Sequence, residues 1–105
     1  MTPCQTPAQC ASLAEIRQQI DAIDHHVIQL LGERFGHVKA AAPFKQDQQA
    51  VRAPQRLEAM LQQRQQWAAE AGLAPAVIGQ LYRQLVAYFI AEEMRHWQAA
   101  ANPLG

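Results

Sequence analysis

Between Ser12 and Pro43 the chain carries one apolar stripe that no break interrupts, and its length decides the architecture. Leu13, Ile16, Ile20, Ile23, Val27, Leu30 or Leu31, Phe35 and Val38 step by three and four, the period of one helix face. Ahead of them, Ser12-Leu13-Ala14-Glu15 has the S-x-x-E form of a capping box, whose two side chains satisfy backbone N–H groups left free at a helix start. Gly32 and Gly36 cost about 1 kcal/mol each relative to alanine, yet the period runs through both, and Pro43 ends it. The predicted helix is about 28 residues and ~40 Å long. A globular chain of ~100 residues has a radius of gyration of ~13 Å, so this helix overhangs any domain the chain can build alone. Something else must cover its stripe, and a two-fold dimer is the commonest symmetric way to do so.

The remaining residues divide into a loop and two further helices. Residues 43 to 53, a proline followed by Lys45-Gln46-Asp47-Gln48-Gln49, show no period and read as a loop. Pro54 suits the first turn of a second helix, where its missing N–H costs nothing. Leu57, Met60, Leu61, Arg64, Trp67 and Ala68 form its stripe, and Gly72 is a natural C-cap. Pro75 opens a third helix to about Ala100. Its apolar residues (Ile78, Leu81, Tyr82, Leu85, Val86, Phe89, Ile90, Met94, Trp97) wrap most of the circumference, as in a helix buried on several sides. Nothing reads as a strand or an internal repeat. The expected fold is all-α: a three-helix protomer with one long N-terminal helix, in an intertwined homodimer. With 105 residues the chain makes a single helical domain, its lead over 1–11 and its tail over 101–105 loosely held.

Composition removes several classes of function. Lys+Arg 9 against Asp+Glu 9 gives a formal net charge of +0, so there is no electrostatic footprint for nucleic acid. No apolar run approaches the ~18 residues a membrane span requires. Met1 to Pro7 lack the basic start and apolar centre of a signal peptide, which points to the cytoplasm. Cys4 and Cys10 fit no zinc spacing and are expected as reduced thiols without a mechanistic role. The glycine-rich, metalloprotease and nucleophile-elbow spellings are absent. His25 and His26 are adjacent and point about 100° apart on a helix, while His37 and His96 have no partner at ligand spacing. No metal and no cofactor are expected.

The cations remain. Arg17 and Arg34 are 17 positions apart in the predicted first helix, which sets their Cα atoms roughly 25 Å apart on faces about 100° different. No small metabolite reaches both from one chain, so a shared site would need a second chain to supply one of them. Each lies beside the apolar stripe, where a packed interface could hold a guanidinium for bidentate binding of a carboxylate. Lys45, on the loop, is free to close over a ligand. The plainer alternative is that Arg17, Arg34, Lys45 and Arg56 are surface residues lying along apolar neighbours.

The stretches Leu13-Ala14-Glu15-Ile16-Arg17-Gln18-Gln19-Ile20-Asp21-Ala22-Ile23-Asp24, Glu33-Arg34, Val38-Lys39-Ala40-Ala41, Phe44-Lys45, Ala53-Pro54-Gln55-Arg56 and Ile90-Ala91-Glu92-Glu93-Met94 resemble the all-helical chorismate mutase family. The resemblance covers nearly the whole chain and is closest to the isochorismate pyruvate lyase branch, which makes salicylate and pyruvate for siderophores. It implies interlocked three-helix protomers with two sites per homodimer. Arg17 matches the arginine donated by the partner chain, Arg34 and Lys45 the two cations of the main chain, and Arg56 a further arginine near the ligand. The mutases usually carry an aspartate at the position of Ala53 and a glutamate at that of Leu57; apolar residues there are typical of the lyases. Glu93 departs from the pattern, since lyases of this type normally have glutamine and some mutases have glutamate.

The implied reaction is a cofactor-free pericyclic elimination from isochorismate, with weak chorismate mutase activity. Arg17 and Arg34 would clamp the substrate's two carboxylates, Lys45 would stabilise charge on the breaking ether oxygen, and Glu93 would donate to that oxygen. Only the protonated acid can donate as a glutamine amide does. Glu93 shares a helix face with Val86, Phe89, Ile90 and Trp97, so desolvation should raise its pKa while Lys45 and Arg34 oppose the rise. Activity that falls with rising pH, and a Glu93→Gln variant that keeps it, are the expectation. A dedicated chorismate mutase and a non-catalytic helical dimerisation module are the alternatives.

Overall fold

A serine starts the first long helix. In the computed structural model, which describes residues 6–101, Ser12 Oγ accepts the Glu15 N–H at 3.2 Å. The Glu15 carboxylate accepts the Ala11 N–H at 2.6 Å, so the capping box forms with its return bond one residue ahead of the serine. Helix α1 then runs Leu13–Ala41 without interruption, as expected. A single 3₁₀ turn over Ala42–Phe44, with Pro43 inside it, ends the helix.

Two expectations are corrected on either side of α1. Cys10 is disulfide-bonded rather than a reduced thiol. A 3₁₀ turn over Pro7–Gln9 precedes it, closed by the Cys10 N–H on the Pro7 carbonyl at 3.2 Å. Cys4, the rest of the lead over 1–5 and the tail beyond Ala101 lie outside the described residues. The segment expected as a loop over 43 to 53 contains a short helix, α2, over Gln48–Arg52. Asp47 caps it, its Oδ1 accepting the Ala50 N–H at 2.8 Å, and Val51 plugs it into the interior at 2% exposure. One turn of helix needs a cap and a single anchor, not a period.

Ala53 joins α2 to helix α3 (Pro54–Glu70) with φ 40° and ψ 62°, the left-handed region. The following proline disfavours the right-handed helical conformation at this position, so one residue ends α2 and turns the chain into α3. Holding alanine there costs about 1 kcal/mol. Helix α3 closes as Gly72 predicts. Gly72 has φ 80°, its N–H reaches the Ala69 carbonyl at 3.1 Å, and the Leu73 N–H reaches Ala68 at 2.8 Å, the two bonds of a Schellman motif. Helix α4 runs Pro75–Ala101. The described residues contain no strand, and the all-α expectation of three principal helices with a long first one holds.

The chain divides into two compact units, Met1–Gly36 and His37–Gly105. In the second, α4 packs against α3, α2 and the 3₁₀ turn. Met60, Leu61 and Ala68 of α3, Val86 and Phe89 of α4, Val51 and Ala42 are buried there. Each of the larger side chains contributes about 1.5–3 kcal/mol by leaving water. Within the chain the burial of α4 is one-sided, and Val77, Leu81 and Tyr88 remain exposed. Helix α1 buries no residue at all. Leu13, Ile20 and Ile23 of its stripe are 59%, 51% and 60% exposed.

Candidate active site

Arg17 and Arg34 both stand on α1, in the first unit, with Arg17 exposed and Arg34 half-buried. Because α1 is unbroken between them, their separation of roughly 25 Å along the helix follows from its rise per residue. Lys45, Arg56 and Glu93 belong to the second unit. Arg56 is exposed in the first turn of α3, beside half-buried Ala53 and Leu57.

Lys45 and Glu93 are brought together. Glu93 is 5% exposed, the one buried charged residue among those described. Its Oε2 lies 3.5 Å from the Lys45 ammonium. The pair is an ion pair without a hydrogen bond, and Oε2 is buried with no hydrogen-bond partner in the protein. Burying a carboxylate costs several kcal/mol unless a charge compensates it, and the adjacent ammonium provides that compensation. A buried polar atom left unbonded in this way is uncommon and calls for a reason; a ligand donor is one.

Lys45 itself is held at several points. It caps the 3₁₀ turn, its N–H donating to the Ala42 carbonyl at 3.1 Å. Its ammonium donates to the Ala50 carbonyl in α2 at 3.2 Å. Its carbonyl accepts the Trp97 indole N–H at 2.9 Å. The short helix that sequence periodicity misses is thus part of the site's frame, through Asp47 as cap and Ala50 as acceptor. The sequence places Trp97 on the helix face of Glu93 but does not show its bond to Lys45. Its place four residues after Glu93, hence on the same face, is the signal that links it to the site.

Chemically, the second unit offers a half-buried ammonium and a buried carboxyl side by side on an apolar helix face. The ammonium can stabilise negative charge developing on a ligand oxygen, and the carboxyl, when protonated, can donate to it. No group of three or more histidine, cysteine, aspartate or glutamate residues suited to a metal ion occurs among the described residues. None of the described helices is long and apolar enough to cross a membrane.

The chain is 43% identical over 94 residues to isochorismate pyruvate lyase of Pseudomonas aeruginosa, an alignment covering 90% of this chain and 93% of that protein. Residues 16–94 match the model of the chorismate mutase type II family. That span holds Arg17, Arg34, Lys45, Arg56 and Glu93 and reaches from the first turn of α1 into α4, so the chain belongs to the chorismate mutase type II family.

Proposed function

We propose that this chain is an isochorismate pyruvate lyase, working as a homodimer whose two sites each combine one protomer's Arg34, Lys45, Arg56 and Glu93 with the partner's Arg17. The observation that carries this reading is the 43% identity to a protein of that name across nine-tenths of the chain. The Lys45–Glu93 pair supplies its chemistry. The substrate's enolpyruvyl arm folds over the ring, a ring hydrogen passes to the arm's methylene as the C–O bond breaks, and salicylate and pyruvate separate. The electrons move in one cycle, so the protein needs to hold the reactive fold and favour the charge that builds on the ether oxygen.

Arg17 and Arg34 fix the two carboxylates, and the rate gained by freezing such a conformer is large because its entropy cost is met by binding. Lys45 approaches the ether oxygen as the bond lengthens, where a preorganised cation is worth most. The Glu93 carboxyl lies beside Lys45 at the same oxygen, and Arg56 adds positive charge near the ligand. The dimer is supported by α1, which buries nothing within its own chain although its stripe is apolar along its length. Ala53 and Leu57 favour the lyase over the mutase, since neither side chain can bind a ring hydroxyl.

The second reading is a dedicated chorismate mutase, and Glu93 in place of glutamine is the feature that favours it. Purified protein incubated with isochorismate and, separately, with chorismate distinguishes the two. Salicylate fluorescence from isochorismate at a rate well above prephenate formation is the expected result. Prephenate as the dominant product would make it a mutase, and neither product would leave a non-catalytic dimerisation module.

A further inference from the structure

We propose that Trp97 is a positioning residue that aims Lys45, an inference that rests on the lyase reading of Lys45 as the catalytic cation. Lys45 sits between the Ala42–Phe44 turn and α2 with extended backbone, φ −85° and ψ 135°. Such a residue has no helical neighbours to fix its carbonyl. The Trp97 indole N–H supplies the fixed point, 2.9 Å from the Lys45 oxygen and reaching across 52 residues of sequence. Glu93, one turn earlier on α4, takes the other end of the same residue at 3.5 Å.

Two side chains four positions apart on one rigid helix therefore grip Lys45 at its carbonyl and at its ammonium. With the peptide plane after Lys45 pinned to α4, rotation about ψ is arrested and the Cα–Cβ direction with it. The ammonium is then delivered to one place rather than swept over the reach of a lysine stem. Nothing else described ties the Lys45 carbonyl to α4. The contact from Lys45 to Ala50 lies within the same short segment and moves with it. An indole can only donate, so the bond is lost on replacement by phenylalanine while most of the half-buried ring volume stays.

The test is Trp97→Phe in the full chain, compared with Lys45→Ala and with the double variant. The expected kcat of Trp97→Phe on isochorismate is about tenfold to a hundredfold down, the range for a displacement of a catalytic group by ~1 Å, with KM nearly unchanged because the aimed charge acts in the transition state. Amide hydrogen exchange should rise over residues 43–53 and stay the same in the α3–α4 core. In the Lys45→Ala background, adding Trp97→Phe should cost nothing further, since coupled residues are non-additive. Should phenylalanine unfold the protein, β-(3-benzothienyl)alanine at position 97 keeps the bicyclic shape and removes only the N–H. Unaltered exchange over 43–53 overturns the tether whatever the activity. Full kcat in Trp97→Phe, or a double variant slowed by the product of the single effects, overturns the positioning role. Full turnover by Lys45→Ala instead refutes the catalytic reading of Lys45, and the positioning role falls with it; the exchange result then reports the tether alone.

Discussion

Helices α1 and α4 are nearly equal in length, 29 and 27 residues, and both carry apolar side chains at helical spacing. They use them in opposite ways. Helix α4 buries Val86, Phe89 and Glu93 within its own unit, against α3, α2 and the turn after α1. Helix α1 buries nothing. A periodic stripe therefore shows that a helix needs cover, not that its own chain provides it. For α4 the stabilisation is intramolecular; for α1 the proposed dimer would have to supply it, so the proposed sites and the proposed dimer stand or fall together.

The sharpest way to break this contrast is Ile23→Asp, which puts a charge in the middle of the uncovered stripe. An unpaired buried charge costs about 3–5 kcal/mol, so the dimer should dissociate at assay concentration and turnover should vanish. A sedimentation mass and activity equal to those of the parent would mean that α1 is not an interface. On the other side of the comparison, Phe89→Ala should cost about 3–5 kcal/mol through transfer and cavity terms. The denaturant midpoint of the α3–α4 unit reads that loss.

Arg17→Ala and Lys45→Ala test the link between the two helices' roles. Each alone should lower turnover about a hundredfold by removing a charged contact from the transition state. Mixed, unfolded and refolded together, they should recover about a quarter of parental activity, because random two-fold pairing makes half the dimers mixed and one of two sites intact in each. No recovery would show that Arg17 serves its own chain's site or none.

Smaller effects refine the α4 side. Glu93→Gln places an amide hydrogen-bond donor beside the ligand and releases Lys45 from its ionic partner, so turnover at neutral pH should hold or rise a few-fold. A loss beyond about tenfold would show that an ionised carboxylate is required. Ala53→Gly should raise the unfolding free energy by about 0.5 kcal/mol, read as a higher denaturant midpoint, the relief of left-handed strain less the extra freedom of unfolded glycine. A lower midpoint would mean that the alanine methyl packs usefully.

Much of the fold was legible because its boundaries have local causes. Ser12, Pro54, Gly72 and Pro75 mark helix ends by capping chemistry that a sequence displays directly, and the stripe of α1 is long enough to be unambiguous. Helix α2 was not legible from period, as five residues are too few to show one; only the spacing from Asp47 to Ala50 hints at it. The disulfide at Cys10 was missed because cysteine spacing alone does not show whether two thiols pair. At the site, the nearness of Lys45 to Glu93 depends on how residues 45 and 93 pack, 48 positions apart, and no local pattern encodes it. The Trp97 bond is hidden for the same reason, with the added difficulty that its acceptor is a backbone carbonyl, identical in every residue type.

Helix α1 also acts as a ruler. Arg17 and Arg34 lie near opposite ends of a rod with no break between them, so the residue count between them sets both their distance and their relative azimuth. Inserting one residue there adds ~1.5 Å and rotates one guanidinium against the other by about 100°. Replacements are gentler: a methyl group added at Gly32 meets nothing within 4 Å. A substitution at Gly32 therefore leaves this spacing intact, whereas a gained or lost position between the two arginines changes both distance and azimuth.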